Sequence, residues 1–447
     1  MDRSLPYRAL LTVALVATSA TVGRARAQDP PTATPPARLA DGLRADDVDV
    51  RRSAATRLQD ADPTAKREAL PTLIDLLMTE KDGQVRLAVL ETVRSLGPDA
   101  APAVPALVHT LRTRYGGQSL EESHQDYRSA LALAAIGEPA VESLRELLNE
   151  RKESVKAEVV MALGRIGPAA RSAIPDLTPI LGDPSERLRK EASLALGRIG
   201  AAAALIEAST HQDATTRSAA VDGLGRLASP DDRVHAALRA RSGDDEATVR
   251  AAAIQALTRL PQAEATMGAT LGQGLRDSDE RVRRVSVNGL VERPTLLREM
   301  AGELETLLTG ENHEVARLAA FLLGKAGAES APRLLDALRI ETSEVEPIAE
   351  ALASLGRPVR DSLTLALDAP EPRVRRGAAL ALGRIRPLDP GVVETLTNGL
   401  DDPDREVRGA HLSALGSIGP RAVAAVPAIR ALLRDESAEV RVQTVEI

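Results

Sequence analysis

Residues 182–200 read GDPSERLRKEASLALGRIG. Their apolar positions, Leu188, Ala192, Ala195, Leu196 and Ile199, fall three and four apart, which lines one face of a helix and leaves the rest polar. Asp183 is placed to cap that helix, with Pro184 at its first position and Glu186 completing a capping box. Gly200 is the stop. Just before it, AIPDLTPIL at residues 173–181 predicts a shorter first helix, with Pro175 confined to the opening turn.

The same pattern recurs along the chain. GPDAAPAVPAL at residues 97–107, GPAARSAIPDL at 167–177 and GPRAVAAVPAI at 419–429 align at Gly, Pro, Ala and the second Pro. The amphipathic half, Val-Arg followed by ALGRIG or a variant, recurs more often. Its anchors are Arg51, Arg86, Asp126, Lys156, Arg189, Arg217, Arg250, Arg283, Ala316, Val345, Arg375, Arg408 and Arg441, about 33 residues apart on average. Tandem helical hairpins of this kind cannot each hide an apolar stripe, so neighbours must stack.

Composition agrees with many thin layers. The chain is 43% hydrophobic but only 1% aromatic, with one Phe, three Tyr and no Trp in 447 residues. Having no cysteine, it has no disulfide framework, thiolate site or Cys nucleophile.

Arg3 and Arg8 precede the apolar run at residues 9–22, and ARA at 25–27 offers small residues to a signal peptidase. The run is shorter than a membrane-spanning helix needs. Residues 1–27 are therefore expected to be a cleaved signal peptide, residues 28–38 a Pro-rich linker, and residues 39–447 the repeats, as twelve full units and a partial thirteenth. The expected location is exported, periplasmic or secreted, with no membrane span left after cleavage. Losing four Arg and one Asp takes the formal charge from −7 to −10, which disfavours nucleic acid as a partner.

On these residues the chain resembles the HEAT-repeat superfamily. The short unit with Asp, Val-Arg and ALGRIG is most similar to the PBS-lyase HEAT-like repeats. The resemblance implies an all-α, right-handed α-solenoid, and it is nearly silent about activity.

Asp and Arg stand six apart at Asp183/Arg189, Asp244/Arg250, Asp277/Arg283, Asp402/Arg408 and Asp435/Arg441. Six residues turn the helix by about 600°, leaving the two groups about 120° apart and badly placed to pair within a unit. Each Arg is expected instead to reach the Asp turn of an adjacent unit, a structural ladder that the resemblance also implies.

A second basic series, Arg165, Arg198, Arg226, Arg259, Lys325 and Arg384, stands nine residues after the anchors. Cations there suit the helix C-terminus and its orphan carbonyls; they would also form a basic edge for an acidic partner. The longest interval holds an insertion, TRYGGQSLEESHQDYR at residues 113–128, where Tyr115, His124 and Tyr127 are candidate contacts. Units ten and eleven depart at SEVEPIAEALASLG, residues 343–356, with Val345 for the anchor Arg and an added Pro347. That departure predicts a local bend or a weaker interface rather than a site.

No catalytic, cofactor or metal constellation is found. Gly-x-Ser-x-Gly, Walker A and His-Glu-x-x-His are all missing from the sequence. His313-Glu314 is a single His-Glu pair, whereas the related deoxyhypusine hydroxylases use several. The expected function is a non-catalytic scaffold or adaptor that binds a protein or peptide on a concave surface lined by the second helices. The alternative is an enzyme or enzyme subunit related to bilin lyases or HEAT-type di-iron hydroxylases.

Overall fold

A computed structural model describes residues 36–112, 120–150, 152–261 and 264–447. The expected signal peptide and residues 28–35 of the linker lie outside the described residues, as do residues 113–119 of the insertion. The first helix, Pro36–Leu43, takes in three residues expected to be linker. A proline at the first helical position gives up a hydrogen bond that no helix start makes.

Helices form throughout, with no strand among the described residues. The second helix of each unit is α1 Val48–Gln59, α2 Gly83–Leu96, α3 Leu120–Ile136, α4 Glu153–Ile166, α5 Glu186–Ile199, α6 Ala214–Leu224, α7 Ala247–Arg259, α8 Glu280–Val291, α9 His313–Ala326, α10 Val345–Ser354, α11 Pro372–Arg384, α12 Arg405–Ile418 and α13 Ala438–Glu446. They stack side by side in one layer, and the first helices form the other. Each helix packs chiefly on its partner and on the adjoining units, so the core is a ribbon threaded between layers rather than a central mass. The fold is an α-solenoid.

Local sequence explains the details. In α5 the stripe Leu188, Ala192, Ala195, Leu196 and Ile199 is buried, and Gly200 closes the helix at φ 84°. The cap is Ser185, not Asp183 as the sequence suggested. The Asp183 carboxylate instead accepts the Ser185 N–H at 2.8 Å and shapes the turn before the helix. The same two-step turn starts α12, where Asp402 accepts from the Asp404 N–H and Asp404 caps Glu406 and Val407.

The expected helix over residues 173–181 is broken into α-helix Ile174–Leu177 between 3-10 segments Gly167–Ala173 and Thr178–Gly182. Each segment begins with a proline at one of its first two positions, and a proline ring cannot continue the ladder behind it.

The glycine of ALG does something different. A Cβ on Gly164 would lie 2.7 Å from the Ala195 Cα, and one on Gly383 would lie 2.6 Å from the Ala414 Cα. Successive second helices thus touch backbone to backbone at this position.

Arg405–Arg434 is the one described stretch long and apolar enough to cross a membrane. It is two helices of successive units, broken at Gly419 (φ 70°).

Candidate functional site

Along the edge where first helices turn into second helices runs a series of arginine clamps. Arg408 donates from Nε and Nη2 to the two oxygens of Asp435, both at 2.8 Å. Its Nη1 donates to the carbonyls of Asp402 and Pro403 in its own turn. One guanidinium therefore fastens its own turn through backbone and the next turn through a carboxylate. The same bidentate clamp joins Arg217 to Asp244, Arg250 to Asp277 and Arg375 to Asp402. A glutamate version joins Arg51 to Glu80.

Electrostatics follow from these contacts. The hydrogen bonds from Arg408 outweigh burial and hold the Asp435 carboxyl below its usual range. For Asp244, Asp277 and Asp402, burial is the largest single influence and acts upward. The arginine bonds, a backbone N–H and the nearby positive charge together reverse it, so these carboxyls too are lowered.

The ladder is interrupted, and the reason is positional. A clamp forms where an arginine anchor is followed by an acid six residues before the next anchor. After Arg189 that position is His211, and among the described residues Arg189 bonds the carbonyls of Asp183 and Pro184 alone. After Arg283 it is Gly310, and Arg283 turns to Glu314 at 2.6 Å. Arg441 bonds the carbonyls of its own turn at Asp435 and Glu436. Asp183 faces a lysine anchor, Lys156, and no ion pair joins them among the described residues. Arg189, Arg283, Arg441 and Asp183 thus stand outside the expected Arg–Asp ladder, while Arg51, Glu80, Arg217 and Arg375 belong to it.

The second basic series is exposed but not uniform. Arg226 and Arg259 converge on Asp222 at 2.9 and 3.0 Å, and Arg384 stands 3.7 Å from Glu350. Arg165 and Arg198 have no carboxylate partner among the described residues and flank a shallow recess of about 400 Å³. The expected carbonyl-capping role does not describe Arg226 and Arg259, because a half-buried acid between them competes for both guanidiniums. Of the insertion residues, Tyr115 and the side chain of His124 lie outside the described residues, and Tyr127 is exposed at the start of the unit's buried stripe.

Sequence reasoning passed over a recess of about 920 Å³ on the second-helix face, between α9, α10 and α11. It lies at the departure in units ten and eleven, where a bend or weak interface was expected but no site. The anchors there are Ala316 and Val345, so two guanidiniums are missing in succession. Along α9 the residues Arg317, Phe321 and Lys325 face the recess, and Phe321, the chain's one phenylalanine, is 45% exposed. The Lys325 ammonium sits 5.5 Å from the centre of its ring. His313 and Glu314 do not form a metal pair: His313 Nδ1 is 3.3 Å from Glu344, and Glu314 meets Arg283. No group of three or more His, Asp or Glu able to hold a metal occurs among the described residues.

Comparison with known proteins adds the following. The model of HEAT repeats matches residues 141–206, 174–258, 202–291, 346–410 and 360–447, together more than half of the chain. No curated protein matches. Among solved structures, Kap121p bound to Pho4p aligns at TM-score 0.46 and 13% identity, over 92% of this chain and 48% of that one. Importin beta aligns at TM-score 0.38 and 15% identity, over 92% of this chain and 60% of that one. The chain therefore spans about half to three fifths of the length of these solenoids. Repeats matched in both halves and over more than half of the chain place it in the HEAT-repeat family.

Proposed function

We propose that this protein is an exported, non-catalytic scaffold that holds a protein or peptide partner against the concave face of its solenoid, formed by the second helices. What supports this reading is the open face itself. The units use their apolar sides on one another, and the second-helix layer still carries an open recess of about 920 Å³ and two exposed cations, Arg165 and Arg198, that have no carboxylate partner among the described residues. Export rests on the signal-like residues 1–27, and the non-catalytic reading on the motifs missing from the sequence.

The test is site-specific photo-cross-linking in the full chain within its native host. Cross-linkers replace Arg198 and Gln255 on second helices and Leu365 on a first helix, all exposed. Discrete polypeptide adducts from positions 198 and 255, and none from 365, are expected in the exported fraction. Adducts from 365 alone, or from none of the three, would refute the assignment of the binding face. N-terminal sequencing of the exported chain should begin at Gln28.

A further inference from the structure

We infer that the recess between α9, α10 and α11 is a seat for an acidic peptide segment, which places a carboxylate at the start of α10 and an adjacent apolar side chain on Phe321. This deepens the scaffold reading and rests on it.

Three independent features converge there. The first is an open helix start. The N-cap of α10 is Glu344, which makes no side-chain capping bond, and Pro347 in the first turn has no N–H to give. Backbone donors and the positive end of the helix dipole are left facing the recess, where an anion is favoured.

The second is a donor awaiting an acceptor. Ser343 lines the recess and is 6% exposed. Its hydroxyl has no hydrogen-bond partner among the described residues, a state that costs free energy unless a ligand or solvent fills it. In most units an anchor arginine would occupy this turn. Here the anchor is Val345, and Arg373 from the next unit reaches only the backbone carbonyls of Leu338 and Ser343.

The third is the placement of charge along α9. The rim carries four glutamates: Glu314 meets Arg283, Glu346 shares Arg376 with Glu406, Glu350 stands 3.7 Å from Arg384, and Glu344 is 3.3 Å from the His313 ring. Arg317 and Lys325 have no carboxylate partner among the described residues. The cations without a carboxylate partner both stand on α9, and between them lies the exposed Phe321 ring, one helical turn from each. A segment alternating carboxylates with a Leu or Phe matches that order, whereas a basic segment would set its cations against Arg317 and Lys325.

Fluorescence anisotropy with the full chain tests this. The probes are a labelled acidic nonapeptide with Leu-Phe at its centre, the same peptide with central glycines, and the same peptide with its acids changed to lysine. The first is expected to bind, with affinity falling as salt rises, and the other two to bind at least about tenfold more weakly. Phe321→Ala, Ser343→Ala and Arg317→Glu with Lys325→Glu should each weaken the first peptide about tenfold or more. Leu365→Ala should leave it unchanged. Phe321 and Lys325 are exposed, so unshifted melting curves in these variants will separate lost binding from lost folding. Equal binding of acidic and lysine peptides, no binding of any, or undiminished binding in Phe321→Ala would overturn the inference. Binding that survives at the recess but is lost in Arg165→Glu with Arg198→Glu would overturn it too, while leaving the second-helix face as the binding face.

Discussion

Replacing Arg408 with methionine keeps most of the side chain's length and removes its charge and donors. In the native protein its side chain is 7% exposed and that of Asp435 is 6% exposed. Two charge-assisted bonds to Asp435 would be lost, along with two to turn carbonyls. The contact with Glu436 counts for little, since that side chain is 84% exposed. Breaking one side of a buried pair costs about 3–5 kcal/mol. Asp435 keeps the Ser437 N–H at 2.7 Å, and water can enter the turn, so the lower end applies. About 3 kcal/mol corresponds to about a 150-fold rise in the local opening constant.

Because a solenoid opens unit by unit, the loss should stay local. Hydrogen exchange followed by mass spectrometry should show faster exchange in α13 and α12, with α5 unchanged. Asp435→Asn alone should cost about 2 kcal/mol, and the double variant should fall short of the sum by about 2 kcal/mol, the coupling of a direct pair. Unchanged exchange in α13, or strictly additive effects, would refute the view that this guanidinium joins two units.

Three further outcomes follow from the same geometry. Lys156→Arg supplies the fork that Asp183 lacks and should stabilise the interface of α4 and α5 by about 1 kcal/mol, read as slower exchange in both; no change would mean that the lysine anchor is equivalent. Gly383→Ala forces a methyl against the Ala414 backbone and should cost about 1–3 kcal/mol in thermal unfolding, although alanine is the better helix former. Acid should destabilise the protein in two stages. His411 is 2% exposed, and burial pushes its imidazole below the usual value while Nδ1–H donates to the Leu396 carbonyl at 2.9 Å. The unfolded chain therefore takes up a proton first, and stability falls as pH drops below about 6.5. The clamp aspartates, lowered in the folded state, withdraw their contribution only below about pH 4. In urea titrations across pH, His411→Asn should abolish the first stage and keep the second.

The amino-acid sequence by itself determined the repeat, the helical class, the buried stripe of each second helix and the existence of inter-unit arginine contacts. These are legible because apolar spacing and turn residues act within a few residues of one another, and a tandem array repeats the same local decision many times. It misplaced the cap at Asp183, since the distinction between shaping a turn and capping a helix depends on where the backbone N–H groups of Ser185 and Leu188 point. Which arginines form clamps depended on pairs about 27 residues apart, where one position in the next unit, His211 or Gly310, cancels a rung that looks complete in its own unit. Only the tertiary structure decided that two missing guanidiniums open a recess around Phe321 and leave the Ser343 hydroxyl without a partner among the described residues. The missing anchor at Val345 shows in its own helix pattern, but the space it vacates belongs to three helices brought together by stacking.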